Sequence, residues 1–371
     1  MSYVTPDYDV QVFAFGASFG IGRLLADFKY VKNLGYADTL NDVPEMFFTL
    51  DQDDPQLDAV AGYEGKAHVR VRRNNEVVWA GWFGMEHDAN ERDVIFTCYG
   101  YLAGLYFLAS AWNVQYKSAT IGTIVSDAWT RAKTTITSSP LAFVTTGTLE
   151  SPVTTSGGAT AITLPQYSMF YKRLLFTMKE MAALAISDTT NTVAFEITHS
   201  TTPTFNFWKN RGVSRPDVVW EWGDGLMSSF KDYQLPIYRR NDILAVGGAP
   251  NSAVLRYEWV DPGGDASYYG TRQEPIYFQW VRDQTELQRA TAIRGALAQR
   301  TTPDLALTFT PNSVLPPGVT GSGFRLSDTA RVRISRGVTQ INAGFLITAY
   351  KVLVINGQEH IRVNLQQPSG T

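Results

Sequence analysis

The chain has 371 residues, 44% of them apolar and 18% charged, with a net charge of −3. It is a folded polypeptide too long for one core, and it lacks the basic surplus of a dedicated nucleic-acid binder. Its single cysteine, Cys98, excludes an internal disulfide and a cysteine-based metal cluster, and aromatics at 13% with 30 Gly and 17 Pro favour a β-rich, turn-rich fold.

The N-terminal stretch from Met1 to Pro6 has no basic region followed by an apolar core, so it does not read as a signal peptide. The longest mostly apolar run, Tyr101 to Trp112, is shorter than the ~20 residues of a membrane span. The expectation is a soluble protein made in a cytoplasm.

In chain order, Val10 to Phe15 and Leu24 to Val31 read as strands, Asn41 to Pro44 as a turn, and Glu45 to Leu50 as a third strand. Asp51, Asp53, Asp54 and Asp58 crowd the next loop. Paired carboxylates can do acid–base work or bind calcium, but EF-hand spacing is missing and Pro55 interrupts the run, so a solvated loop is the better reading. Lys66 to Arg72 alternates polar and apolar, Asn74 and Asn75 suit a tight hairpin, and Val77 to Phe83 returns antiparallel. Asp93 to Tyr99 is a further strand. Leu102, Leu105, Tyr106 and Ala109 then recur at helical spacing.

Ser118 to Trp129 reads as a helix burying Ile121, Ile124, Val125, Ala128 and Trp129. Leu141 to Val144 reads as a short strand, Tyr167 to Ile186 as a second helix, and Val193 to Ile197 as a strand. Later come Ile243 to Gly248, a helix over Asp283 to Gln299, and a strand at Leu305 to Phe309. The chain finishes in a hairpin turning at Asn356-Gly357, whose second strand alternates Ile361, Val363 and Leu365 with polar residues.

The hairpin segment Val69-x-Val71-x-Arg73-Asn74-Asn75-Glu76-Val77-Val78-Trp79-Ala80-Gly81, with its following strand and helix, resembles the first domain of phage tail hub proteins. Later segments resemble that family in order: the helix–strand–helix–strand stretch ending in Phe195-Glu196-Ile197, then Asn241 to Gly247, Ser267 to Gly270, the Ala- and Leu-bearing helix, and Leu326-Ser327-Asp328, where serine stands for the family's usual glycine. The resemblance covers nearly the whole chain. It implies a β-rich α+β fold: two tail-tube-like β-barrel or sandwich domains, an inserted small α/β domain and a small accessory domain. The boundaries read as 1–112 for the first tube-like domain and 113–205 for the insertion. The second tube-like domain takes 206–260 and 306–371, and the accessory domain with its helix takes 261–305. A weak internal repeat points the same way: Leu24, Phe28, Lys29 and Asn41-Asp42-Val43 recur as Leu226, Phe230, Lys231 and Asn241-Asp242-Ile243. Two such domains per chain would give a three-fold ring six quasi-equivalent positions.

By that resemblance the protein is a structural virion component. It would form a homotrimeric ring at the distal end of the tail, between a distal tail ring and a tip or fibre protein. Tape-measure protein would fill the lumen, and DNA would meet it only in transit. No cofactor, metal or membrane integration is implied, and no catalysis. His68, His87, His199 and His360 show no metal-ligand spacing. Gly16-Ala17-Ser18-Phe19-Gly20 fits the nucleophile-elbow pattern literally, without the hydrolase frame around it. An alternative reading is a tail-associated carbohydrate-binding or wall-degrading protein, since nine Trp and 18 Tyr could stack on sugars, although such rings more commonly fill β cores and interfaces.

Lys66, His68, Arg70 and Arg72 alternate with Ala67, Val69 and Val71, which places the ionisable groups together on one expected solvent face. They suggest a partner surface, a neighbouring subunit or an acidic plug; a subunit contact is the better reading, with the acidic loop Asp51 to Asp58 of the next chain as one candidate partner. A cationic lumen wall would grip DNA phosphates, which a conduit should avoid.

Overall fold

The computed structural model describes residues 6–367 except 91, 110–113, 137, 153–160, 162, 170–171, 188–192, 210, 233–241, 249–254, 261–272, 279–283, 286, 289, 293–294, 296–304 and 318. The fold is β-rich α+β. Its first part runs β1 (Tyr8–Phe15), β2 (Ile21–Phe28), β3 (Asn33–Thr39), β4 (Glu45–Asp51), a one-turn α1 (Leu57–Val60), β5 (Ala67–Arg73), β6 (Glu76–Ala89), β7 (Asp93–Gly100) and α2 (Ala103–Phe107). The β5–β6 turn needs two left-handed residues, and Asn74 (φ 47°) and Asn75 (φ 70°) supply them.

The middle part runs β8 (Val114–Thr120), α3 (Ile121–Thr130), β9 (Thr145–Leu149), β10 (Thr163–Met169), α4 (Leu174–Ser187), β11 (Ala194–Ile197) and β12 (Thr204–Trp208). Thr120 caps α3 by accepting the Thr123 N–H at 3.2 Å. The expected apolar face of α3, Ile121, Ile124, Val125, Ala128 and Trp129, is buried. Leu141 to Val144 forms turns rather than a strand, and Tyr167 to Met169 belongs to β10 rather than to the following helix.

The last part runs β13 (Ser214–Glu221), β14 (Met227–Asp232), β15 (Asp242–Gly247), β16 (Arg256–Val260), β17 (Gln273–Phe278), β18 (Leu305–Phe309), β19 (Thr329–Arg336), β20 (Thr339–Ile355) and β21 (Gln358–Gln366). Asn356 (φ 51°) and Gly357 (φ 73°) make the same left-handed turn between β20 and β21 as the paired asparagines make earlier. Among residues 284–295 the described positions are helical, and Leu287 is buried there against Ala245. Ser267 to Gly270 and Arg240-Asn241 lie outside the described residues.

One 13-stranded sheet spans both ends of the chain, in the order β14-β18-β21-β20-β3-β4-β7-β6-β5-β1-β2, with β13 and β19 branching from β20. The junction is β20 against β3, antiparallel from Ala349↔Thr39 to Ile355↔Asn33. A single apolar cluster serves both halves: Phe28, Phe48, Val69, Val71, Trp79 and Phe83 pack with Trp220, Leu307, Phe309, Val332, Ile347 and Val363. A second cluster joins α3, α4, β11 and β12 to Ala80, Trp82 and Tyr101 of the first part. Strands β15 and β16, grouped by sequence with the second β unit, pair instead with β17 in a separate three-stranded sheet. The proposed repeat therefore does not carry through: Asp42 lies in the turn before β4, whereas Asp242 opens β15.

Candidate assembly surfaces

Strand β6 is buried without interruption from Val78 to Gly84, which requires cover on both faces. Val69, Val71, Trp79 and Phe83 face the shared core, while Ala80 and Trp82 face the middle part. This corrects the expectation of a solvent face on β5. His68 is fully buried. Its ring stacks on Trp82 at 5.4 Å and meets Phe15, Phe143 and Tyr101 edge-on at 5.0, 4.9 and 5.7 Å. Arg70 is half-buried, its guanidinium 5.0 Å above Phe13 while Nη2 donates to Thr201 O at 2.8 Å. Arg72 donates to Asn75 Oδ1 at 2.5 Å and lies 3.6 Å from Asp9 Oδ2. Of the four interface candidates only Lys66 is exposed. The face is covered largely by the chain's own middle part, so His68 is not available to a neighbouring subunit.

Two carbonyls face the His68 Nε2 atom, Phe19 O at 2.9 Å and Gly20 O at 3.2 Å, so Nε2 carries the proton and donates. That ties the literal nucleophile-elbow segment to structure: Ser18 sits exposed in the β1–β2 connection at φ 51°, and the nearby imidazole is committed to backbone carbonyls. Burial lowers the His68 pKa from 6.5 to about 4, against the pull of those carbonyls. The unfolded chain binds a proton between these values and the folded protein does not. Stability from this residue is therefore complete above pH 6.5 and is lost as pH falls to about 4, by roughly 3 kcal/mol at most. Denaturant midpoints at pH 7.5 and 4.5 should show a smaller acid loss for His68→Gln than for the unaltered protein.

A second set of contacts locks the middle part onto the first. Asn41 (φ 61°) acts as a short strand edge: its Nδ2 donates to Val193 O at 2.9 Å, and its Oδ1 accepts the Phe195 N–H at 2.8 Å. Lys179 pairs with Asp42 at 2.6 Å. His199 stacks on Trp79 at 5.6 Å, with Nδ1 3.0 Å from Ala80 N and Nε2 3.6 Å from Asp38. Glu196 pairs with Arg211, yet burial still raises the Glu196 carboxyl.

The two sheet halves are joined by a buried polar network. Arg73 Nε donates to Glu359 Oε1 at 2.6 Å and Nη2 to Oε2 at 3.2 Å, and the Tyr8 hydroxyl donates to Oε1 at 2.5 Å. Tyr36 OH lies 3.4 Å from Tyr8 OH, and burial pushes both phenols upward. The Glu359 N–H is taken by Asn312 Oδ1 at 2.7 Å. Burying such a pair requires that its charges be hydrogen-bonded, and both Glu359 carboxylate oxygens are.

Cys98 is fully buried, its sulfur accepts the Gly84 N–H at 3.3 Å, and burial pushes its thiol up to about 12. Among the described residues no group of three His, Cys, Asp or Glu is placed to hold a metal. No described helix is long and apolar enough to cross a membrane. Trp79, Trp82, Trp129 and Trp220 are buried, so these four of the nine tryptophans fill cores. Tyr106, read from its spacing as inward-facing, is 41% exposed beside Phe107 and Phe176, with the Arg173 guanidinium 3.8 Å above its ring.

No family model matches the chain, and no curated protein matches it. Its fold is similar to the 43 kDa tail protein of prophage MuSo2 from Shewanella oneidensis, at TM-score 0.56 and 12% identity, over 97% of this chain and 98% of that one. It is similar also to the tail protein from Neisseria meningitidis MC58, at TM-score 0.54 and 14% identity, over 97% of each chain. A third match is a chain of the Francisella PdpA–VgrG complex, at TM-score 0.53 and 9% identity, over 99% of this chain but 58% of that one. From end to end, the chain carries the fold of phage tail proteins, in keeping with the hub-like resemblance of its sequence.

Proposed function

We propose that this chain is a structural tail hub: a homotrimeric ring at the distal end of a phage tail tube, with a distal tail ring on one side and a tip or fibre protein on the other. The observation that carries this reading is the likeness to two tail proteins over nearly the full length of both partners. A further support is the way the chain's two ends build one sheet through β3 and β20. In this reading the first tube-like domain takes 1–112 and the second is built from β13, β14 and β18 to β21. The helix-bearing middle part and the β15–β17 sheet are additions outside the ring wall. Tape-measure protein occupies the lumen before infection, and DNA passes through it. The role is mechanical, so neither a cofactor nor a catalytic residue is assigned.

Gold-labelled antibody against the purified protein, applied to virions that contain it, tests the location. Label at the tail end away from the head is expected. Label along the whole tube, or at the head, would overturn the reading.

A further inference from the structure

The exposed face of β19 carries a pair of arginines. Arg331 and Arg333 alternate outward with buried Ala330, Val332 and Ile334, whereas Arg336, at the strand end, falls on the side of Ile334. Antiparallel register places Asn342 and Gln340 of β20 opposite Arg333 and Ser335, while β13 sets Glu221 beside Arg333. Each guanidinium is held in place. Arg331 Nε donates to Asn342 Oδ1 at 3.1 Å, Arg333 lies 3.4 Å from Glu221, and Arg336 sits 4.6 Å above the Trp222 ring. Among the described residues, Glu221 is the one carboxylate paired with these two outward arginines. Fixed, planar guanidiniums are suited to taking carboxylates two-pronged.

The same chain presents a complementary group of carboxylates elsewhere. The loop after β4 holds Asp51, Asp53, Asp54 and Asp58 within eight residues. Asp51 is engaged by Lys32 at 2.9 Å. Asp53 and Asp58 are exposed and form no ion pair among the described residues. Gln56 anchors the loop to β2 by accepting the Asp27 N–H at 2.9 Å, and β2 is the terminal strand of the sheet at one end. The arginine pair lies in the other half of the chain. Within one molecule Arg331 and Arg333 engage Asn342 and Glu221 rather than the acidic loop.

We infer that Arg331 and Arg333 receive the acidic loop Asp51 to Asp58 of a second copy of this chain. Because the two surfaces differ, the contact is head-to-tail, the kind that closes a ring when its rotation allows. This rests on the ring reading above and names the surfaces it would use. Exposed pairs contribute little to raw affinity, so the contact chiefly sets register and direction and weakens with salt.

The test is charge exchange, read by sedimentation of the purified full chain at low salt. Arg331→Glu with Arg333→Glu should weaken self-association about tenfold or more, and Asp53→Lys with Asp58→Lys should do the same. The four changes together should restore it to within about threefold. Circular dichroism confirms that each variant is folded. If rings form and neither reversal affects them, this inference is wrong and the ring reading stands. If the unaltered chain binds duplex DNA at low salt, and the arginine reversal abolishes that while rings persist, the pair takes phosphate and the inference is likewise wrong. An unaltered chain that stays monomeric at every concentration overturns both.

Discussion

Replacing Glu359 by alanine is expected to cost about 3–5 kcal/mol of stability, most of it from stranding a buried guanidinium. Arg73 and Glu359 are 8% and 0% exposed in their side chains, and Tyr8 donates to the same carboxylate. Removing the acid leaves Arg73 and the Tyr8 hydroxyl without that acceptor in a medium that cannot hydrate them. The pair ties β5 of the first part to β21 of the last, so its loss should loosen the contact between the two sheet halves. Replacing both residues by apolar ones of similar volume, Arg73→Met with Glu359→Leu, should cost much less than either single truncation, because no charge is then left unpaired. Urea denaturation of the three variants measures this. Equal destabilisation by the single and double changes would mean that packing, not charge pairing, governs the site.

Trp82→Ala is the second substitution with a large expected effect, again about 3–5 kcal/mol. Trp82 is 4% exposed and meets Phe15, His68, Tyr101 and Phe143. Phe143 belongs to the middle part, and Trp82 shares the second apolar cluster with α3, α4, β11 and β12, so the lost stability should appear first there. Hydrogen exchange should show α3 and β9 to β12 opening more readily, while β3, β4 and β20 keep their protection. Uniform loss of protection across the whole chain would instead mean that the middle part has no independent opening.

The hairpins were legible in the sequence because their turns demand unusual backbone. Asn74-Asn75 and Asn356-Gly357 are residue types that tolerate positive φ, and alternating runs flank them. β18 was legible to the residue, Leu305–Phe309, from simple alternation. β3 was not, because Gly35 interrupts its pattern. That glycine lies where a Cβ would stand 2.3 Å from the Phe47 ring and 2.7 Å from Leu353, so packing rather than propensity selects it. The polar side of β5 was misread for a different reason. Alternation reports that two faces differ, not that either meets water. The residues that cover His68 and Arg70, Phe143 and Thr201, come from far along the chain. The Arg73–Glu359 pair spans 286 positions, a separation at which no local pattern carries a signal.

The proposed ring at the end of a tail holds three copies of this chain, each with its first and last parts sharing one sheet. Cryo-electron microscopy of the distal tail end of particles that contain the chain tests it most directly. Three copies around the tail axis are expected, with the sheet joined through β3 and β20 repeated once per copy. Six copies in one ring, or a single copy on the axis, would contradict it.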